Sequence, residues 1–324
     1  MISRARTVMA LLCAALLAVP VLATYAGDKP LFDAYTCEGK CGYAFSTGNS
    51  TYSGTLLPGD QYPVEFTVTL PDDAVVQYQR YYVYWAWSRR DEQSVYPSIA
   101  AISSPAYGTS AEPVVRYTDN KGFSSPSDFY SGVDAFSGAP LPPGTSTVTF
   151  GVANTAESNS TFVIQGIGLL AVYSSASEPE GLILVKEGCD MLYYSYGITP
   201  EMATSSVDFN REIDTARMKS ATLELVAPSG GYTRSDVIRK NALYFNHQQD
   251  SDLPKFLSVI LGLVFPYANG KEWVDVFDSD QQQQIGIETR DVTAYMAPRS
   301  NTVAVQDRGD YLLLTNVVLH IVFR

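Results

Sequence analysis

Histidine is almost missing from this chain: 324 residues carry two, His247 and His320. The sequence also lacks a G-x-S-x-G elbow, an H-E-x-x-H helix motif and a glycine-rich phosphate loop. The side chains that most often shuttle protons, hold zinc or activate a nucleophile therefore have no recognisable setting. His320 lies in an apolar stretch, VVLHIVF at 317–323, and reads as a structural residue. Aspartates such as Asp190 could pair as glycosidase carboxylates. With 34 acidic residues such groupings arise by chance, and the chain reads as a non-enzyme.

Positive charge is scarce as well. Twenty-two Lys and Arg against 34 Asp and Glu give a net charge of −12. A phosphate backbone needs clustered cations, so nucleic acid is excluded as the expected partner. Beyond the N-terminus no apolar run reaches the ~20 residues of a spanning helix, so no membrane span is expected in the mature chain.

What is present begins with Arg4 and Arg6, an apolar run at 8–21 and small residues at 21–23. This is the pattern of a secretory signal peptide, assigned to residues 1–26, and it predicts an extracellular, cell-surface protein. Export changes the meaning of the four cysteines. Cys13 leaves with the leader, so Cys37, Cys41 and Cys189 remain, an odd number in an oxidising exterior. Either Cys37 and Cys41 close the small loop CEGKC, or one of them joins Cys189. Each arrangement leaves one thiol, which would be buried or would cross-link subunits.

Tyrosine (22 residues), glycine (23) and proline (18) are plentiful, the balance of a β-rich chain. The clearest strand is RYYVYWAWS at 80–88. Period-two alternation puts Tyr81, Val83, Trp85 and Trp87 on one face and Tyr82, Tyr84 and Ala86 on the other. Both faces are apolar or aromatic, so both should be covered, by a second sheet or by a neighbouring molecule. A weaker echo, KSATLELVA at 219–227, turns Ala221, Leu223 and Leu225 inward and Thr222 and Glu224 outward, which predicts a more solvated face there.

The echo extends further. Residues 207–209 answer 66–70, 218–226 answer 76–84, 302–306 stand for the strand around Val148, and 317–323 answer 167–173. Matching strand character at matching spacing predicts an internal duplication. The expected fold is all-β: two tandem β-sandwich, jelly-roll-like domains at 60–176 and 177–324, after an N-terminal arm at 27–59. One segment breaks the symmetry, an apolar insertion at 247–268. Its Phe256, Leu257, Val259, Ile260, Leu261, Leu263, Val264 and Phe265 form either local packing or a sticky assembly contact.

Two further features are local. Asn49-Ser50-Thr51 and Asn159-Ser160-Thr161 are N-glycosylation acceptors. Asp275, Asp278, Asp280, Asp307 and Asp310 lie in loops and supply the oxygen ligands that suit calcium, against the bland alternative of solvated acidic turns. Zinc on Cys37, Cys41 and Cys189 is less expected, because it needs a fourth ligand and exported thiols usually oxidise.

The motifs STGNSTYSG (46–54), LPGD (57–60), YVYWAWS, YTDNKGF (117–123), GIGLLAVY, EGCDM (187–191), NALYFN (241–246), IGIETRDVT (285–293) and VQDRGDY (305–311) occur in one order along the chain. In these the chain resembles an uncharacterised family of secreted cell-surface proteins of methanogenic archaea, some of them associated with the surface layer or outer sheath. The resemblance implies a β-rich extracellular surface domain and supplies no catalytic residues. The insertion at 247–268 departs from that pattern. The resulting expectation is a structural, self-assembling subunit of an archaeal cell envelope whose main partner is itself, with other envelope proteins or glycans as further partners. The alternative is a secreted carbohydrate-binding or adhesion protein presenting Trp85, Trp87 and Trp273 as a stacking platform.

Overall fold

The structure is a computed structural model that describes residues 29–102, 112–120, 130–195, 197–232, 239–247 and 270–324. Strands dominate it. In chain order they are β1 Phe32–Ser46, β2 Thr55–Leu56, β3 Gln61–Leu70, β4 Val75–Arg90, β5 Gln93–Ser94, β6 Ile99–Ile102, β7 Val115–Asp119, β8 Ser131–Phe136 and β9 Gly144–Asn154. They continue with β10 Ser160–Ser174, β11 Glu180–Leu192, β12 Thr204–Phe209, β13 Met218–Pro228, β14 Asn241–Phe245, β15 Lys271–Val274, β16 Ile285–Asp291, β17 Asn301–Asp307 and β18 Leu312–Phe323.

Three sheets form: one of eleven strands with the main order β16-β13-β18-β11-β1-β10-β4-β8-β7, one of order β12-β17-β14-β15, and one of order β3-β9-β6. Strand β1 explains how the large sheet is used. Its first part, from Phe32 to Lys40, pairs antiparallel with β11. From Cys41 to Ser46 it pairs with β10 instead. The sheet therefore turns over at β1 into two inner layers that face each other. Each inner layer also carries an outer sheet, giving four β layers.

Alternation within strands fills the three gaps. Tyr81, Val83 and Trp85 of β4 pack with Val64, Phe66, Phe150 and Ile164 between β4/β10 and the β3-β9-β6 sheet. Ala221, Leu223 and Leu225 of β13 pack with Val207, Leu243 and Val303 between β13/β18 and the β12-β17-β14-β15 sheet. Tyr82 and Tyr84, on the other face of β4, join Ile183, Val185, Met191 and Val318 in the central gap. The double-sided cover expected for β4 thus comes from its own chain. At roughly 25 cal/mol per Å² of apolar surface, burying all three gaps is the main stabilising contribution.

Three expectations need correction. Trp87 does not share the inner face of Trp85; it is 49% exposed. The β4/β10 register shifts between Thr161 and Val163, opposite Arg89 and Ala86, and Trp87 takes φ +53°. A bulge there breaks the period of two and turns the ring outward. The face of β13 that carries Glu224 is not a solvated surface, because it looks into the central gap, where Tyr43 donates to Glu224 at 3.3 Å. Finally, the segment expected as an arm of short extended pieces contains the 15-residue strand that joins the two inner layers.

The outer sheets match in position: β3-β9-β6 in one, β12-β17-β14 in the other. The inner layers match as well, β10-β4-β8 against β18-β13-β16. The apolar insertion and its contact residues 256–265 lie outside the described residues, as does the expected leader.

Candidate functional site

The open edge of the β3-β9-β6 sheet is the most site-like surface. Burial alternates strictly along β3, with Tyr62, Val64, Phe66, Val68 and Leu70 inside. The backbone of Glu65 faces away from β9, since its C=O accepts from Asn49 N–H at 3.1 Å and its N–H donates to Asn49 Oδ1 at 2.8 Å. Backbone direction repeats every second residue. Pro63, Thr67 and Thr69 therefore present their backbone to the same edge, and no described strand lies beyond it. Pro63 has no N–H to offer, a usual way of blunting an edge.

The loop before β2 closes the middle of that edge. Gly48, at φ +54°, comes so near that a Cβ would stand 2.2 Å from Glu65 O, so only glycine fits. Ser50 is 1% exposed and its hydroxyl bridges the N–H (3.0 Å) and C=O (2.9 Å) of Ile167. Between these anchors Asn49 is exposed, with its side chain turned to the edge. On the outer face beyond the clamp, Thr67 and Thr147 hydroxyls meet at 3.3 Å and Thr69 and Thr145 at 3.0 Å.

A second feature sits where β1 changes layers. Cys37 and Cys41 form a disulfide with Cα atoms 6.3 Å apart, around Gly39 at φ +115°. Beside it is an open depression of about 460 Å³ lined by Tyr35, Glu38, Lys40, Asp73 and Gln77 among others. The Ser175 hydroxyl, then the Ala176 N–H, hold the Asp73 carboxyl below its ordinary range. Cys189 is not placed to cross-link neighbours: it is 3% exposed, packed in the central gap with Cys37 and Cys41.

The central gap itself is polar in places. Glu187 Oε2 accepts from Tyr82 at 2.7 Å and Tyr78 at 3.0 Å, and its Oε1 accepts from Tyr117 at 3.1 Å. Tyr84 donates to Asn316 Oδ1 at 2.8 Å. Burial first, then the nearby carboxylate, pushes the hydroxyls of Tyr78, Tyr82 and Tyr117 far up. Burial also raises Glu224 and Asp134, and it lowers His320. Asp134 accepts from Trp85 Nε1 at 3.1 Å and from the Tyr96 hydroxyl. Glu187 and Glu224 are thus tied to tyrosines across the central gap, which holds the two inner layers together. Sequence reasoning missed Glu187 because its three partners lie 70–109 positions away.

The expected metal ligands do not converge. Asp307 Oδ1 accepts the N–H groups of Gly309, Asp310 and Tyr311, and its Oδ2 accepts that of Tyr194. Asp310 Oδ2 takes Gly231 N–H and Asn241 Nδ2. Asp275 accepts from Lys240 N–H at 2.7 Å, and Asp280 caps Gln282 and Gln283. Asp278 is exposed. Asp275, Asp280, Asp307 and Asp310 thus bond groups of their own chain, and among the described residues no three His, Cys, Asp or Glu side chains gather for an ion.

The expected aromatic platform does not form either. Trp85 is fully buried, and Trp273 packs edge-on against Tyr295 with centroids 5.9 Å apart. Trp87 stands exposed without them. Asn159 is exposed in a turn at φ +45°. Among the described residues no helix is long and apolar enough to cross a membrane.

No curated protein matches the chain. Among solved structures, a chain from the 3.5 Å cryo-EM structure of the Sputnik virophage aligns at 9% identity over 89% of this chain and 86% of that one. Its TM-score of 0.16 carries no argument about fold or function. A family model described as "Protein of unknown function (DUF3344)" matches residues 24–322, and the chain belongs to that family.

Proposed function

We propose that the protein is a structural, self-assembling subunit of a cell envelope, exported by the leader at 1–26 and built by duplication of one sandwich. The surface-layer or sheath setting in an archaeon rests on the resemblance of the ordered motifs. The observation that carries the reading is the edge of β3, whose Thr67 and Thr69 backbones face outward beside the clamp with no described strand paired to them. An added strand would gain backbone hydrogen bonds there, each with a net value near 1 kcal/mol, and a lattice repeats them many times. The matching strand order of the two inner and two outer layers supports the duplication. Four interlocked layers with disulfide and polar ties suit a rigid brick.

The aromatic residues offer the carbohydrate-binding alternative little support, since two of the three tryptophans are packed inside or against their own domain. Electron microscopy of the purified mature chain tests the proposal. Ordered sheets or tubes are expected; dispersed monomers under oxidising conditions with calcium would overturn it.

A further inference from the structure

We infer that Asn159 is a glycan attachment site with a built seat for the sugars it carries. Attachment at an Asn-x-Ser/Thr triplet needs two groups in reach of the enzyme: the asparagine amide and the hydroxyl two residues on. Asn159 and Thr161 line one open depression of about 590 Å³, together with Leu57, Pro58, Arg89, Asp91 and Glu92. That volume falls within the roughly 300–1,000 Å³ of small-ligand sites.

The local backbone presents the triplet. Asn159 sits at φ +45°, a left-handed conformation that asparagine tolerates better than most residues. Asp91 N–H donates to Asn159 C=O at 3.2 Å, which ties the turn to the end of β4. Ser160, between the two reactive residues, is 1% exposed and anchors the turn inward. The amide is left on the rim, exposed.

The walls match a saccharide. Leu57, 55% exposed, and Pro58 offer an apolar side for the C–H face of a ring. Arg89 supplies donors to, and Asp91 and Glu92 acceptors from, the hydroxyls of a ring seated there. Asn49 is different: its Oδ1 is engaged by Glu65 N–H on the β3 edge.

In the transfer, Asn159 Nδ2 bonds to the anomeric carbon of an activated glycosyl donor with a phosphate leaving group. The anomeric C–O bond breaks, its electron pair leaves with the phosphate, and Nδ2 loses one proton. The host's transferase catalyses the step, so the inference rests on export as proposed above.

The test uses protein purified from the cells that naturally make it. Mass spectrometry reads the N-terminus of the mature chain and the peptide bearing Asn159, and hydrogen exchange compares glycosylated with enzymatically deglycosylated chain. A processed N-terminus, a saccharide on Asn159 that is lost in Asn159→Gln, and loss of amide protection at 89–92 on deglycosylation are expected. A processed chain with bare Asn159 overturns the site while leaving the envelope reading standing. A glycan whose removal leaves exchange at 89–92 unchanged overturns the seat, and an unprocessed chain inside the cell overturns both proposals.

Discussion

Tyr82 on β4 donates a 2.7 Å hydrogen bond to Glu187 on β11 across the central gap, although 105 residues separate them in the chain. Tyr78 and Tyr117 donate to the same carboxylate, so one side chain of the second half receives three from the first. Arg80 lies over the Tyr78 ring, 4.7 Å from its centroid, and brings positive charge to this cluster. Glu187 is 5% exposed, so water cannot replace its partners.

Replacing Glu187 by alanine removes the acceptor of three tyrosine hydroxyls; Tyr78 and Tyr82, 3.3 Å apart, can pair with each other, which leaves two donors orphaned. An unsatisfied buried polar group costs about 1–3 kcal/mol. Glu187→Ala should therefore lower unfolding free energy by roughly 3 kcal/mol or more in urea titration, and Glu187→Gln by clearly less. Equal loss from both variants would show that shape, not hydrogen bonding, holds the layers.

The disulfide closes a short loop at the corner of β1. For so few residues the chain-entropy contribution is about 2 kcal/mol. Cys37→Ser with Cys41→Ser should lose about that much stability, while Cys189→Ala should not change the electrophoretic pattern. Without reductant the wild type should run as monomer, because Cys189 is enclosed. A reductant-sensitive dimer lost in Cys189→Ala would sink this account.

Glu224 gives a pH dependence whose sign is fixed. Burial raises its folded carboxyl above the ordinary value of 4.5, and the Tyr43 hydrogen bond offsets this only in part. Above pH 4.5 the unfolded chain gives up this proton first, so the native state binds more protons and stability falls as pH rises toward the folded value. Glu224→Gln keeps the acceptor for Tyr43 and removes the charge. Its stability relative to wild type should increase from pH 4 toward pH 7 in parallel thermal melts. A difference independent of pH would contradict the assignment.

How much of this was readable in advance follows from sequence distance. The two faces of β4 were legible because alternation is local, and Tyr81, Val83 and Trp85 face one core while Tyr82 and Tyr84 face another. The covering of both faces was legible too; that its own chain covers them was not, since the turn at β1 lies in a Gly- and Ser-rich stretch that reads as loose. Trp87 was misplaced because a bulge depends on the partner strand, not on β4 alone. Glu224 read as solvent-facing because a polar residue in alternation usually is, and only the packing of one inner layer on the other buries it. The aspartates at 307 and 310 looked like ligands because acidic loops that bind ions and acidic loops that cap their own backbone share a composition.

The edge of β3 allows assembly to be separated from folding. Thr67 shares its backbone direction with Glu65, which points away from β9, so its N–H takes no part in the β3/β9 ladder. Thr67→Pro removes that donor and puts a ring where an incoming strand would lie. Because Pro63 already occupies the equivalent outward position two pairs away, the strand accommodates proline there. Thr67→Pro should change the unfolding midpoint of the isolated chain little, by about 1 kcal/mol or less for a substitution at a compatible edge position. It should also abolish ordered arrays in electron microscopy. Arrays that persist in a folded Thr67→Pro protein would show that subunits meet elsewhere, and the β12 edge of the other outer sheet would then be the next surface to block.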